Sequence, residues 1–398
     1  MKCRLTYLFV MLIMMCGCAD DSYMGALGEL YGVGNQYIPV LVSYGDPSGG
    51  LVKGGGAIDS AKEWNEGIVY VYAFSSGEGA DYSILSNTSP YDCLVDGSKS
   101  DPTSLAGRKA HLGFKDTYAR WMDEHNVYYP TGKYRKMKYD FFSYFIDDIE
   151  VSPEDYTRTE DRVEVAVEID GTQDVMHSMA IVSKEQLSPF AEMEQEMILS
   201  SAYGYYTAQR NIVPLFYLRH ILTRLEFELI PGVVREENKT ITVHSVEVES
   251  NYKAAFVVAA KDTTTIGLHF EDSIKRFKLT EDGGQPMPED KYVINTRPSE
   301  EFRYEPTKIG GCVLLAPMEE YNAYITMSEV REDGTNVVTR AVTPVVIPFE
   351  PGMFESGNQY KVRLTIYGAT QVSVSVQLEK WRDGGELGVD LDKEMENN

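Results

Sequence analysis

Apolar and polar residues alternate with period two through much of this chain. In segment 37–44 (YIPVLVSY) the residues Ile38, Val40, Val42 and Tyr44 fall on one side. The same alternation runs through 163–169 (VEVAVEI), 225–229 (LEFEL), 362–366 (VRLTI) and 372–378 (VSVSVQL), where Val372, Val374, Val376 and Leu378 share a face. Such a pattern puts one face of a strand on a core and the other in water, as in antiparallel sheets. Segment 68–74 (IVYVYAF) has no polar break and predicts a strand buried on both faces; 139–145 (YDFFSYF) is rich in aromatics. Helical signals are few. Ser188-Pro189 ahead of FAEMEQEMILSSA predicts one helix, with Ser188 as N-cap, Pro189 at its first position and Gly204 near its stop. Residues 112–125 predict a shorter one. The 27 tyrosines suit β-structure.

The chain therefore reads as all-β with few short helices. Its 398 residues exceed one sandwich of about 100 residues. Two β-sandwiches in tandem fit: an N-terminal domain with insertions over 37–213, and a second over 214–383, with the break near Asn211 to Pro214. Residues 18–36, rich in glycine and small polar residues, read as a tether, and 384–398 as a polar, acidic tail. A net charge of −24 repels nucleic acid and anionic surfaces, which argues against a role on DNA or RNA.

Chemistry is hard to find. The six histidines form no HExxH, and there is no GxSxG elbow or phosphate-binding loop. Ser250-Asn251-Tyr252-Lys253 matches SxxK without its companion motifs. Asp390, Asp392 and Glu394 lack the glycine of a calcium loop. His220, before an amphipathic strand, reads as a hydrogen-bonded structural residue. Cys93 and Cys312 show no metal spacing; they are either a disulfide or two buried small hydrophobes, and their wide separation favours the second. No enzyme activity, cofactor or metal is expected.

The first residues, MKCRLTYLFVMLIMMCGCADD, carry Lys2 and Arg4, then an apolar run too short for a permanent span of a bilayer of ~30 Å. This is an export signal over 1–17. Gly17-Cys18 resembles the lipobox of bacterial lipoproteins, which implies acylation of Cys18 and a tether to a membrane. Three Asp-Ser/Thr-apolar triplets, at Ser60, Thr263 and Ser273, resemble the O-glycosylation motif of anaerobic gut bacteria.

Several segments taken in order resemble the fimbrillin family of Bacteroides-type pili. They are the lipobox, KGGGAID at 53–59, IVYVYAF, Tyr128-Tyr129-Pro130 with YDFFSYF, DGTQDVM at 170–176, HILTRL at 220–225, and the stretch from GNQY at 357–360 to Trp381. The resemblance implies two transthyretin-like, Greek-key sandwiches in a pilus subunit carried to the outer membrane as a lipoprotein. It implies partners that are other pilus subunits, joined by strand exchange, with a surface ligand for adhesion. Proteolysis beyond the first strand (Ile38, Val40, Val42, Tyr44) would vacate a groove for a strand of the next subunit. An open sheet edge is a template for such a strand, and head-to-tail donation builds a fibre. Lys53 is the candidate cleavage position. Many family members are cut after arginine, and this chain has none between Arg4 and Arg108. An uncut, permanently lipidated subunit would be an anchor, so stalk, tip and anchor all stay open. The candidate donor is sought in the C-terminal strands, above all Val372, Val374, Val376 and Leu378. A second reading is a surface glycan-binding lipoprotein of a nutrient-uptake system, which would present clustered aromatics; Trp64, Trp121 and Trp381 are scattered in sequence, and Trp381 reads as a core plug.

Overall fold

A strand that is apolar at every position needs cover on both sides, and the architecture is arranged around that need. The computed structural model describes residues 37–44, 67–111, 118–123, 125–147, 151–233, 239–282, 284–296, 305–331, 333–334, 336–349, 352–379 and 381. They form four main sheets. The first has seven strands, ordered Arg219–His220, Val175–Met179, Tyr139–Ile146, Ile68–Ser75, Arg108–His111 and Arg120–Trp121, with Cys93–Val95 also paired to Ile68–Ser75. Its two aromatic strands split their side chains between two cores. Tyr72, Phe74, Phe142 and Tyr144 face one buried cluster, while Val69, Val71, Ala73, Phe141 and Phe145 face another. The sheet is thus a middle layer, which is why IVYVYAF carries no polar face.

One cover is the second sheet, ordered Gly267–Phe270, Lys253–Ala260, Arg162–Glu168 and Tyr156–Arg158. Val163, Val165 and Val167 alternate inward beneath the first sheet, and Phe256 meets Tyr144 edge-on at 5.7 Å. The other cover is segment 37–44 with the loops and helices around 119–129 and 182–216.

The third sheet is ordered Thr307–Leu315, Thr223–Pro231, Gln359–Gly368 and Gln371–Glu379; its central pair is parallel. The fourth is ordered Ile274–Lys278, Lys239–Asn251, Glu320–Arg331 and Asn336–Pro348, with Tyr292–Thr296 also on Lys239–Asn251. Leu225, Phe227, Val362 and Leu364 from the third sheet and Ile241, Val248, Tyr321 and Ile325 from the fourth fill the core between them.

One hairpin belongs to both sandwiches. Lys239–Asn251 lies in the fourth sheet; after Tyr252 the chain continues as Lys253–Ala260 in the second. It returns as Gly267–Phe270 in the second sheet and Ile274–Lys278 in the fourth. A division of the chain at 213/214 leaves this hairpin with the later segment by sequence and with the earlier sandwich by hydrogen bonding. Gly171 packs into the same junction, with φ +93° and its carbonyl accepting from Leu314 N at 2.8 Å. A Cβ there would lie 2.9 Å from Phe277 Cδ1, so only glycine fits.

The helical expectations are corrected in part. Ser188 does not start a helix; it ends α1 (Lys184–Leu187), which Ser183 caps through a reciprocal box with Gln186. The next helix, α2 (Glu192–Leu199), begins after Ala191, because Phe190 turns inward onto the core. Gly204 caps the start of α3 (Tyr205–Ala208) rather than stopping α2. A Cβ on it would lie 2.6 Å from Met137 O. Of the helix expected over 112–125, residues 112–117 and 124 lie outside the described residues, and Arg120–Trp121 is a strand. Cys93 is buried and Cys312 half-buried, and they lie in different sheets with no disulfide between them.

A buried polar node ties the edge of the second sheet to the loop over 82–98. Arg158 donates to Asp96 at 2.9 Å, to Tyr82 O at 2.9 Å and to Ile84 O at 2.6 Å. Asp96 also accepts from Ser86 and from Ser98. Burial pushes the Asp96 carboxyl up, but these bonds outweigh it and hold the group below the ordinary carboxylate value. Arg158→Ala leaves that carboxylate buried without its partner. It should destabilise the fold by about 3–5 kcal/mol, read as a shift of the urea midpoint; a change within error would show the pair to be dispensable.

His177 lies between the first sheet and Phe256 of the second, and burial pushes it from the ordinary 6.5 to about 4. Between those values the unfolded chain binds a proton that the folded chain refuses. The stability His177 contributes is therefore full above 6.5 and falls as the pH drops toward 4. His177→Gln should flatten the dependence of the melting temperature on pH in that window; an unaltered slope would assign it to other groups.

Candidate functional site: the first strand and the C-terminal strand

Segment 37–44 lies over one face of the middle layer and is bonded on both sides by neighbouring chain outside that layer. On one side Val40 N donates to Val127 O at 2.7 Å, Tyr129 N to Ile38 O at 2.9 Å and Ala119 N to Val42 O at 2.9 Å. On the other, Ser43 N donates to Pro214 O at 2.9 Å, and Ser43–Tyr44 pairs in parallel with Leu215–Phe216. Regular strand structure is confined to Ser43–Tyr44, because Pro39 has no amide to donate and permits only an isolated bridge to Tyr128. Side chains do the rest. Val40 and Val42 are fully buried, and Ile38 and Tyr44 pack against the same cluster. Trp121 Nε1 donates to Val40 O at 3.0 Å, and Tyr44 shares a 2.7 Å hydrogen bond with Ser143. Burial pushes the Tyr44 phenol well up, partly offset by that bond, so it stays neutral.

The C-terminal strand Gln371–Glu379 closes one edge of the third sheet. It is hydrogen-bonded along its length to Gln359–Gly368. Val372, Val374 and Val376 are half-buried on the core, and Leu378 is 50% exposed. Two residues beyond the strand, Trp381 is buried between the two sandwiches. Its indole stacks on the His220 ring, with centroids 3.9 Å apart and planes at 12°. His220 Nδ1 in turn lies 2.8 Å from Asp174 Oδ2, both side chains buried.

Cys18, Lys53 and Ser60, the tether and the acidic tail lie outside the described residues, as does Trp64. Thr263 is exposed in a turn capped by Asp262. Ser273 is half-buried, and its hydroxyl accepts from Lys253 N and donates to Glu271 O. Ser250 is buried, its hydroxyl accepts from Ala316 N, and Lys253 pairs with Glu168, so SxxK makes no nucleophile here. Trp121, like Trp381, is largely buried and offers no face to a sugar ring. Burial pushes the Cys93 thiol well up, against reactivity. The meeting of Asp174, His220 and Trp381 has no signal in the sequence, and the structural roles expected of His220 and Trp381 come together in it.

The described residues thus define an all-β chain of stacked sheets with a covering first segment and an edge strand over residues 371–379. Among solved structures it is similar to a fimbrial protein from Bacteroides vulgatus, at 13% identity over 86% of this chain and 99% of that one, TM-score 0.49. A protein assigned to cell adhesion from Bacteroides uniformis matches at 11% identity over 86% and 98%, TM-score 0.44. The fimbrial anchor protein Mfa2 from Porphyromonas gingivalis matches at 11% over 85% and 98%, TM-score 0.30. These neighbours are described as cell adhesion and fimbrial proteins. No family model matches the chain, and no curated protein matches it by sequence.

Val42→Asp places a charge in the seat of the first segment and removes about 1.5–3 kcal/mol of valine burial. Limited proteolysis should then cut within 37–44 well before any later strand. Cleavage sites and rates unchanged from the parent would show that the seat does not hold the segment.

Proposed function

We propose that this protein is a structural and adhesive subunit of a cell-surface pilus. It is exported as a lipoprotein acylated at Cys18 and assembled by strand exchange. The single observation that carries the reading is the seating of residues 37–44. They lie over one face of the middle layer with Val40 and Val42 fully buried, and their backbone bonds go to loops and to the short strand Leu215–Phe216 rather than to that layer's own ladder. A segment so held can leave and bequeath an apolar groove to an equivalent segment of another chain. The ordered resemblance of the sequence to fimbrillins supports the same reading.

Cleavage after Lys53 would cut the covalent link between the lipid and the body. The Gln371–Glu379 strand is the candidate donor, since it is the last strand described, lies at an edge and alternates cleanly. A chain cut at Lys53 serves in a stalk or tip; an uncut chain stays at the membrane as an anchor. The O-glycosylation motif at Thr263 has the exposure that a modifying enzyme needs.

Two measurements test this. N-terminal sequencing of the surface form should begin at Gly54 for a maturing subunit, or be blocked at an acylated Cys18 for an anchor. Protein trimmed at Lys53 should form SDS-resistant oligomers, and strictly monomeric trimmed protein would sink the stalk role. Cys18→Ala should move the protein to the soluble fraction; membrane retention would refute the lipid anchor.

A further inference from the structure

The C-terminal strand is held in two different ways. Along its length it has one hydrogen-bonded neighbour and a half-buried row of valines. At its end it has Trp381, one of the largest fully buried side chains described. The indole does not belong to the sheet that the strand completes. It sits on His220 at the end of the first sheet, over the His220–Asp174 pair, with Arg224 Cζ 5.8 Å from its ring centre. Next to it, Glu379 receives Lys361 at 2.7 Å and Gln359 at 3.2 Å.

We propose that Trp381 is a latch. The docked indole keeps Gln371–Glu379 in its own sheet, and its undocking frees that strand for another chain. The strand-sharing consequence rests on the pilus reading above; the latch itself does not.

The physical case is one of unequal attachment. An edge strand frays from its ends, and here the indole sits two residues past one of them. The strand's outward face is polar (Ser373, Ser375, Gln377), and on its inner face it brings to the core no more than a row of half-buried valines. Releasing Trp381 exposes a whole indole and opens a buried carboxylate–imidazole contact to water. Among the described residues the indole N–H finds no acceptor, so stacking and burial alone hold it. An attachment of that kind can be fitted and withdrawn without breaking a hydrogen bond of its own.

Hydrogen exchange on the full chain tests the latch. Trp381→Ala should speed exchange of the Gln371–Glu379 amides about tenfold or more, with Tyr139–Ile146 and Lys239–Asn251 keeping their protection. Trp381→Phe retains a ring to stack and should stay near the parent. Unchanged exchange in Trp381→Ala, or equal loss in every strand, would overturn the latch. Should the alanine variant fail to fold, the parent chain in rising urea decides. Hydroxyl-radical labelling of Trp381 and exchange of the strand should rise together, ahead of global unfolding; if both rise only with it, the latch is refuted. Mixing freed-strand protein with protein trimmed at Lys53 then tests strand sharing separately. A freed strand without mixed oligomers leaves the latch standing and removes the donor.

Discussion

A sheet with no polar face is the constraint from which the rest of this molecule follows. Ile68–Ser75 and Tyr139–Ile146 place aromatic and branched side chains on both sides, and water must be kept from each. One side is closed by a sheet whose strands come from two distant stretches of chain. The other is closed by short helices, loops and the segment 37–44. The hydrophobic effect asks only that apolar area be removed from water and is indifferent to which segment covers it. A covering segment can therefore do work elsewhere left to a complete strand, and its replacement by a like segment is a change of cover rather than of fold.

The two candidate strands are held by opposite means. Residues 37–44 are bonded to neighbouring chain outside the middle layer and have deeply buried side chains. Gln371–Glu379 has a full ladder to one neighbour but a half-covered face, and depends on Trp381 beyond its end. The first is favoured by a groove, the second by a peg, and both ends of the described chain are thereby tied near the middle layer. The Asp96–Arg158 node performs the complementary task of fixing the loop that carries Tyr82 and Cys93, so that the interior itself does not shift.

Much of the sheet structure was legible because the alternation was clean. The segments 163–169, 225–229, 362–366 and 372–378 are strands with the faces expected of them, except that Leu378 at the end of the last is exposed. Lys239–Asn251 was obscured by a bulge: Ile241 and Val243 face the core, then the register shifts, and Val246 and Val248 take over. Glu320–Arg331 hides its period because Ala323 faces in while Tyr324 faces out. The helix start was misplaced because a good box at Ser183 and Gln186 competes with the Ser188-Pro189 signal, and the inward turn of Phe190 decides between them. Nothing in KAAFVVAA announces that a strand passes from one sandwich to the other at Tyr252. Of the site, the four apolar positions at 37–44 were readable from their spacing. The meeting of Asp174, His220 and Trp381 was not, since it depends on the third dimension alone.

The shared hairpin also sets an order of events in time. The second sheet lacks two of its four strands until residue 270 has been made, and the third sheet lacks two of its strands until residues 359–379 follow. Synthesis at about 5–20 residues per second is slow beside the closing of a loop, yet neither sandwich can complete early, because each waits on distant chain. Pairing Thr223–Pro231 with Gln359–Gly368 is also a long-range step that favours slow, late assembly. The first sandwich thus waits on chain as far as residue 270 and the second on chain as far as residue 379, so each closes only after a long stretch has been made.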